Sequence, residues 1–427
     1  MKNKSATKIK KDKNFISCFN QETGFYFRTG ILEDGKDTGV DPFMASFPEL
    51  LDVGIMGHCI HGKIGLCQKA GIGCYQDGLH SNNPNMSLED FKKIAEQCKG
   101  KTFQFALGGC GDPDQHEHFE EILKVCKENG IVPNFTTSGF GMTKALAKLC
   151  KQYCGAVAVS WYRSPYTLKA INLLLAEGVK TNIHYVLSKS TLTEALQHLR
   201  RDELNNSIDR NKFNSQGDLA QSYSHNTLQF PKGINAVIFL LHKPVGLGTK
   251  EDMITKDNKD FLNFLDLVNE REFPYKIGFD SCTVPALINL DKVDPNCLDT
   301  CEGGRWSAYI TPDMKLLPCS FDNQEQKWAV DLAQYSIAEA WESNTFNDFR
   351  NHFSHSCPDC KHHTSCMGGC PIVPEIVLCD KNINKNKNID KSYGSPGGYD
   401  GEVIETMEDL FLLALFEIYV NLLIIKL

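Results

Sequence analysis

The chain is poor in several features that would assign a function at once. Lys+Arg number 45 against 53 Asp+Glu, a net charge of -8, and no basic stripe is available to track a nucleic-acid backbone. No P-loop and no Ser/His/Asp arrangement stands out, which removes the familiar routes to phosphoryl and acyl transfer. The basic segment Lys2–Lys13 lacks the apolar run of a signal peptide and is expected to be a solvated tail. Long hydrophobic runs are scarce as well. Phe411–Leu427 is strongly apolar, but Glu417 and Asn421 interrupt it, and it reaches only the short limit of a membrane span. A docking helix is the first reading there and membrane association the second.

Cysteine is what the chain has in excess: 18 in 427 residues. With no secretory signal, a cytoplasmic protein is expected. In a reducing cytosol dense cysteine points to metal binding or catalysis rather than disulfides. The distribution agrees. Cys59, Cys67 and Cys74 share one Gly-rich loop, and eight more cysteines lie between Cys297 and Cys379. Hydrophobic content of 41% and charged content of 23% fit a globular chain with a proper core.

From Asp52 the chain alternates. Strand-like runs at 52–56, 102–107, 131–136, 155–160, 179–187, 234–241 and 275–279 are separated by helical patterns at 88–98, 118–129, 144–153, 166–177, 192–201 and 260–270. That alternation means an α/β fold with a parallel sheet and outer helices. Six βα units suit an open, partial (β/α)6 TIM-like barrel, with function at the C-terminal ends of the strands. Residues 1–50 are expected to hold a tail and a hairpin (Phe15–Phe19 with Gly24–Leu32). The barrel is placed at 51–281, a small Cys-rich domain at 282–380, and a flexible linker with the apolar segment at 381–427. Asn205–Gly233 is polar, lacks periodicity and reads as an insertion or mobile loop.

The strand Val53–Met56 feeds the loop Cys59-x7-Cys67-x6-Cys74. Three thiolates at a strand's end can hold three irons of a cubane and leave the fourth open to a small molecule. His58 and His61 in the same loop are open to a ligand role or to polar packing. Downstream, Cys357-x2-Cys360-x5-Cys366-x3-Cys370 is followed by Cys379 and preceded by Cys297, Cys301 and Cys319. Spacing alone admits a zinc ribbon or two four-thiolate iron–sulfur sets.

This second pattern resembles the SPASM domain of radical S-adenosylmethionine (SAM) enzymes over roughly residues 297–379. Met314 stands where that family has a glycine. The resemblance implies that Cys297, Cys301, Cys319 and Cys370 bind one auxiliary [4Fe–4S] cluster, with Cys282 a spare for Cys297. Cys357, Cys360, Cys366 and Cys379 would bind a second. Upstream, Gly108-Gly109-Cys110-Gly111-Asp112-Pro113 is similar to the family's GGxGEP motif, with Asp112 in place of Glu. Thr136-Thr137-Ser138-Gly139 resembles its TNG turn, and Ser160 ends the fourth strand where SAM contacts sit. Gly108, Gly109, Asp112 and Ser160 are thus the expected SAM-binding residues, and Cys59, Cys67 and Cys74 the expected ligands of the SAM-binding cluster. The family's usual C-x3-C-x2-C spacing is lengthened here.

The resemblance implies reductive cleavage of SAM to a 5′-deoxyadenosyl radical and hydrogen abstraction from a peptide or protein, as in peptide maturases. A low-potential flavodoxin- or ferredoxin-like donor would supply the electron, and an anaerobic setting is expected. A sulfatase-type maturase is a second reading, weakened because Ser320 rather than Asp follows Cys319. A catalytically inactive iron–sulfur electron carrier is a third.

Overall fold

The computed structural model describes residues 6–207, 229–294, 297–353, 357, 360 and 366–379. Most of the expected 205–233 insertion and all of 381–427, with its apolar end, lie outside them. The described residues belong to a single unit, Met1–Ile383. None of the described helices is long and apolar enough to cross a membrane.

The chain opens on an antiparallel sheet of β1 (Thr7–Lys11), β2 (Ile16–Asn20) and β3 (Tyr26–Arg28). The short pair β4 (Leu32–Glu33) and β5 (Lys36–Asp37) comes next. A hairpin is present where one was expected, but part of the expected solvated tail is a strand. Thr7–Lys11 pairs residue for residue with Lys11↔Ile16 through Thr7↔Asn20. Its lysines disguised it, since an edge strand is kept from further pairing by such charges. Lys8 donates to the carbonyl of Gly130, and Lys10 Nζ lies 3.3 Å from Glu49 Oε1, which ties the edge to the main body.

Among the described residues the main sheet has ten strands. Seven of them, β6 (Leu50–Met56), β7 (Gln104–Gly109), β8 (Val132–Thr137), β9 (Val157–Ser160), β10 (Thr181–Leu187), β11 (Ala236–Leu241) and β12 (Lys276–Phe279), run parallel in chain order. These are the seven strands the alternation called for. Between β6 and β7 the loop carries a single-turn helix, α1 (Leu66–Lys69), and then α2 (Leu88–Cys98). The remaining barrel helices are α3 (Phe119–Glu128), α4 (Lys144–Tyr153), α5 (Pro165–Ala176), α6 (Leu192–Ser207) and α7 (Lys259–Glu270). The sixth helix runs beyond Arg201 into the start of the expected insertion. Side-chain caps start several of them: Ser87, Thr143 and Ser164 accept the backbone N–H groups of Asp90, Leu146 and Thr167, each satisfying a donor with no helical partner.

Strand periodicity separates two faces. Leu51, Val53 and Ile55 of β6 and Phe105 and Leu107 of β7 are buried in one core with Phe91, Ile94, Ile122 and Leu123 of the helices. The alternate positions carry polar groups that bond across the inner face. Asn134 Nδ2 donates to Gln104 Oε1 at 2.9 Å, Asn235 Nδ2 donates to Asn182 Oδ1 at 2.7 Å, and Thr136 Oγ1 lies 3.0 Å from His184 Nδ1. Parallel strands buried on both faces read as continuous apolar runs; alternation here marks an interior kept polar.

Among the described strands β12 and β6 do not pair, so the barrel stays open. After the short α8 (Val284–Leu287) the chain returns to β6 from outside: β13 (Ser307–Ile310) pairs with it in parallel, and β14 (Lys315–Leu317) and β15 (Val330–Asp331) extend the sheet antiparallel. Helices α9 (Ile337–Trp341) and α10 (Asn344–Asn351) then pack behind it, Trp341 being fully buried with its Nε1 donating to Ala45 O at 3.0 Å. The Cys-rich region is thus hydrogen-bonded into the barrel sheet rather than hung from it. Met314 turns the β13–β14 corner at φ +63. A glycine is what the resemblance expects there, and Met314 takes the left-handed conformation that glycine favours.

Candidate functional site

The β6–β7 ladder slips between Gly54 and Met56, and such an irregularity re-aims the chain beyond it. That chain is the Cys59–Cys74 loop, at the C-terminal end of the sheet. The added residues of its lengthened spacing form a 3-10 turn at Gly62–Ile64 and then α1. Gly62 N–H donates to Cys59 Sγ at 3.0 Å and Gly78 N–H to Cys74 Sγ at 3.4 Å, while Tyr162 Oη lies 3.1 Å from Cys67 Sγ. Burial pushes the Cys59 and Cys67 thiols up to about 11, with Cys74 and Asp112 adding to the push on both. The three sulfurs therefore share one electrostatic neighbourhood. Among the described residues no three His, Cys, Asp or Glu converge on a single metal ion. Thiolates around a cubane stand further apart, because irons and sulfides occupy the space between them.

The Gly108–Asp112 turn lies against this loop. A Cβ on Gly109 (φ +112) would fall 2.3 Å from Met56 O, and one on Gly111 would fall 2.6 Å from His58 O. A Cβ on Gly108 would meet nothing within 4 Å, so space is left beside it. Cys110 is packed, its thiol donating to Gln76 O at 3.3 Å. The Asp112 carboxylate is held from the next strand: Ser138 donates to Oδ2 from N at 2.9 Å and from Oγ at 2.5 Å. Burial still raises its pKa, and Ser138 opposes the rise. His61 brings Nε2 to 3.4 Å from the same oxygen. Neither ring nitrogen of this buried histidine has a hydrogen-bond partner among the described residues. His58 instead packs, with Nδ1 3.2 Å from Asn83 O. Ser160 ends β9 in register with His184 of β10.

The sequence pattern did not single out Tyr162 or Arg163. Arg163 (φ +56) donates to the carbonyl of Ala70 and to Glu194 of α6, bracing the end of the cysteine loop. Their signal was the run Trp161-Tyr162-Arg163 directly past a strand end.

Seven cysteines of the C-terminal region lie in two mutually influencing sets. Cys366 lies in the field of Cys379, Cys357 and Cys360, in that order of strength. Cys319 lies in the field of Cys301 and Cys370, and burial raises all three thiols. Cys297 is exposed, and among the described residues Asp294 is the charged group that bears on it. Cys282 lies in the field of Lys243, Asp280, Cys370 and Cys301.

Residues 301–366 match the model of the SPASM iron–sulfur cluster-binding domain. The chain carries a SPASM domain. No curated protein matches it in sequence. Among solved structures, Streptococcus suis SuiB bound to precursor peptide SuiA aligns over 86% of this chain and 95% of its own, at 13% identity and a TM-score of 0.61. SuiB bound to S-adenosylmethionine aligns over 77% and 74%, at 14% identity and a TM-score of 0.56. The anSMEcpe protein with bound AdoMet and Cp18Cys peptide aligns over 79% and 92%, at 16% identity and a TM-score of 0.51. The likeness establishes the fold, a mostly parallel α/β sheet followed by a smaller C-terminal region.

Proposed function

We propose that this SPASM protein is a radical SAM enzyme acting on a peptide or protein. The observation that carries the reading is the gathering of Cys59, Cys67 and Cys74, from a loop of unusual spacing, beside the Gly108–Asp112 turn. The domain match and the SAM-bound neighbours support iron–sulfur clusters and SAM as its cofactors, and the SuiA-bound neighbour supports a peptide substrate.

Cys59, Cys67 and Cys74 would hold the SAM-binding [4Fe–4S] cluster, and the donor set fits it: three thiols, two of them receiving backbone N–H groups. When bound and reduced, this pair of cofactors supplies a 5′-deoxyadenosyl radical for hydrogen abstraction. The protein's own work is positioning. Ser138 fixes one oxygen of Asp112, which leaves the other to receive an amino group. Gly109 lets the turn approach Met56 closely, and the room beside Gly108 admits a ligand. Phe140, partly exposed, sets its ring edge-on 4.9 Å from His61 and 5.5 Å from Tyr166, which holds the His61 ring beside Asp112. The electron would come from a flavodoxin- or ferredoxin-like donor, and the reaction would run in the cytoplasm.

The test is anaerobic reconstitution, then dithionite and SAM, with 5′-deoxyadenosine as the readout. Production by the wild type, lost in Cys67→Ala while about eight irons per chain remain, supports the reading. Loaded wild-type protein that makes none overturns it in favour of an electron carrier.

A further inference from the structure

The sheet's break leaves a cavity of about 720 Å³ between the last barrel strand, β12, and the β6–β13 side. Asp52 reaches it from β6, Asp280 and Cys282 from just past β12, and Cys301, Cys319 and Cys370 from the C-terminal region. A Cβ on Gly303 would lie 3.5 Å from Cys319 Cβ and 3.6 Å from Cys301 Sγ, so those two thiols flank one turn. Cys297 touches the cavity wall as well, but it is the exposed member.

A buried cation adds a second observation. Lys243 lies just past β11, its side chain 1% exposed, with Nζ 2.6 Å from Asp280 Oδ2 and 4.4 Å from the Phe321 ring centroid. Its charge bears on Cys282, Cys319 and Cys370. An ammonium withdrawn from water needs compensating negative charge, and Asp280 supplies one. Thiolates at these positions would supply more, whereas Cys297 is exposed to solvent.

We propose that Cys282, at the end of the last barrel strand, completes the first auxiliary four-thiolate set with Cys301, Cys319 and Cys370, and that Cys297 stands outside it. The assignment rests on the iron–sulfur reading above and replaces the set that resemblance alone implied. Its consequence is architectural. One ligand comes from the barrel and three from the C-terminal region, so the cluster staples the two edges of the opening that the strands leave.

The full chain, reconstituted anaerobically, is compared as wild type, Cys282→Ala, Cys282→Ser and Cys297→Ala by iron and sulfide content and by electron paramagnetic resonance. The wild type should carry about twelve irons. Cys282→Ala should lose about four or show a three-iron signal on oxidation, Cys282→Ser should keep the cluster with altered g-values, and Cys297→Ala should match the wild type. Loss of a cluster in Cys297→Ala, or no loss in either alanine variant, overturns the assignment. Iodoacetamide mapping of the loaded wild type decides the matter without any variant: Cys297 should be alkylated and Cys282 protected, and the reverse pattern refutes it. A wild type that takes up no iron instead refutes the functional reading beneath.

Discussion

The Tyr162 phenol lies 3.1 Å from the Cys67 sulfur, which joins the end of β9 to the middle of the cysteine loop across the mouth of the barrel. The residue is half-buried, and a hydroxyl withdrawn from water without a partner would carry a desolvation cost. Once Cys67 is a thiolate ligand, the hydroxyl has to be the donor. Donors to cluster sulfur stabilise the reduced state. Tyr162→Phe should therefore lower the midpoint potential of the cluster proposed for this loop while leaving iron content unchanged. Redox titration followed by electron paramagnetic resonance checks this, and an unmoved potential shows the contact to be packing only.

Ser138 controls the direction of Asp112. Its backbone and hydroxyl both donate to one carboxylate oxygen, so Ser138→Ala removes the shorter contact and leaves the carboxylate on the backbone N–H and the 3.4 Å contact from Thr137 Oγ1, a looser hold. A hydrogen bond to a charged group contributes about 1.5–3 kcal/mol. SAM affinity should fall by at least tenfold, with the thermal midpoint of the iron-loaded protein little changed. Equilibrium binding of SAM to the oxidised protein measures it, and unchanged affinity would detach Asp112 from ligand binding.

These two contacts show where the sequence stopped being readable. The seven parallel strands and their helices were legible, because apolar positions recur with one period in strands and another in helices. Cysteine spacing and the Gly108–Asp112 turn exposed the candidate groups. Tyr162 and Ser138 were harder, since a tyrosine after a strand or a serine in a turn is ordinary until the chain brings Cys67 or Asp112 to it. The pairing of β13 with β6 was hidden for a similar reason: a four-residue strand more than 250 residues from its partner has no local sign of register. The resemblance ranked Cys297 ahead of Cys282 on spacing alone, because no local pattern shows that Cys282 lies just past β12 or that Cys297 is exposed.

Arg28 ties the N-terminal sheet to the Cys-rich region. Its guanidinium stacks 4.3 Å from the Trp306 ring centroid, and both terminal nitrogens donate to Asp299, Nη1 at 2.8 Å and Nη2 at 2.5 Å. Lysine cannot reproduce a planar two-pronged contact of this kind. Arg28→Lys and Arg28→Ala should both destabilise the protein, by roughly 1–3 kcal/mol, with lysine recovering little. Urea unfolding of the three proteins measures this, and a lysine variant equal to wild type would reduce the contact to simple charge.

His184 reports on the barrel interior. It sits on the polar inner face of β10, bonded to Thr136, and burial lowers its pKa from 6.5 to about 4. In the unfolded chain it would take a proton near its ordinary value. Between the two values the unfolded state binds more protons, so the stability contribution is present above about pH 6.5 and is lost as pH falls toward 4. Glutamine can keep a hydrogen bond to Thr136 but cannot be charged. His184→Gln should thus lose less stability than the wild type between about pH 7 and about pH 5, even if it is the weaker protein at neutrality. Parallel denaturant titrations at both pH values give the difference. Equal losses in the two proteins would mean that water reaches His184 and that the inner face is already hydrated.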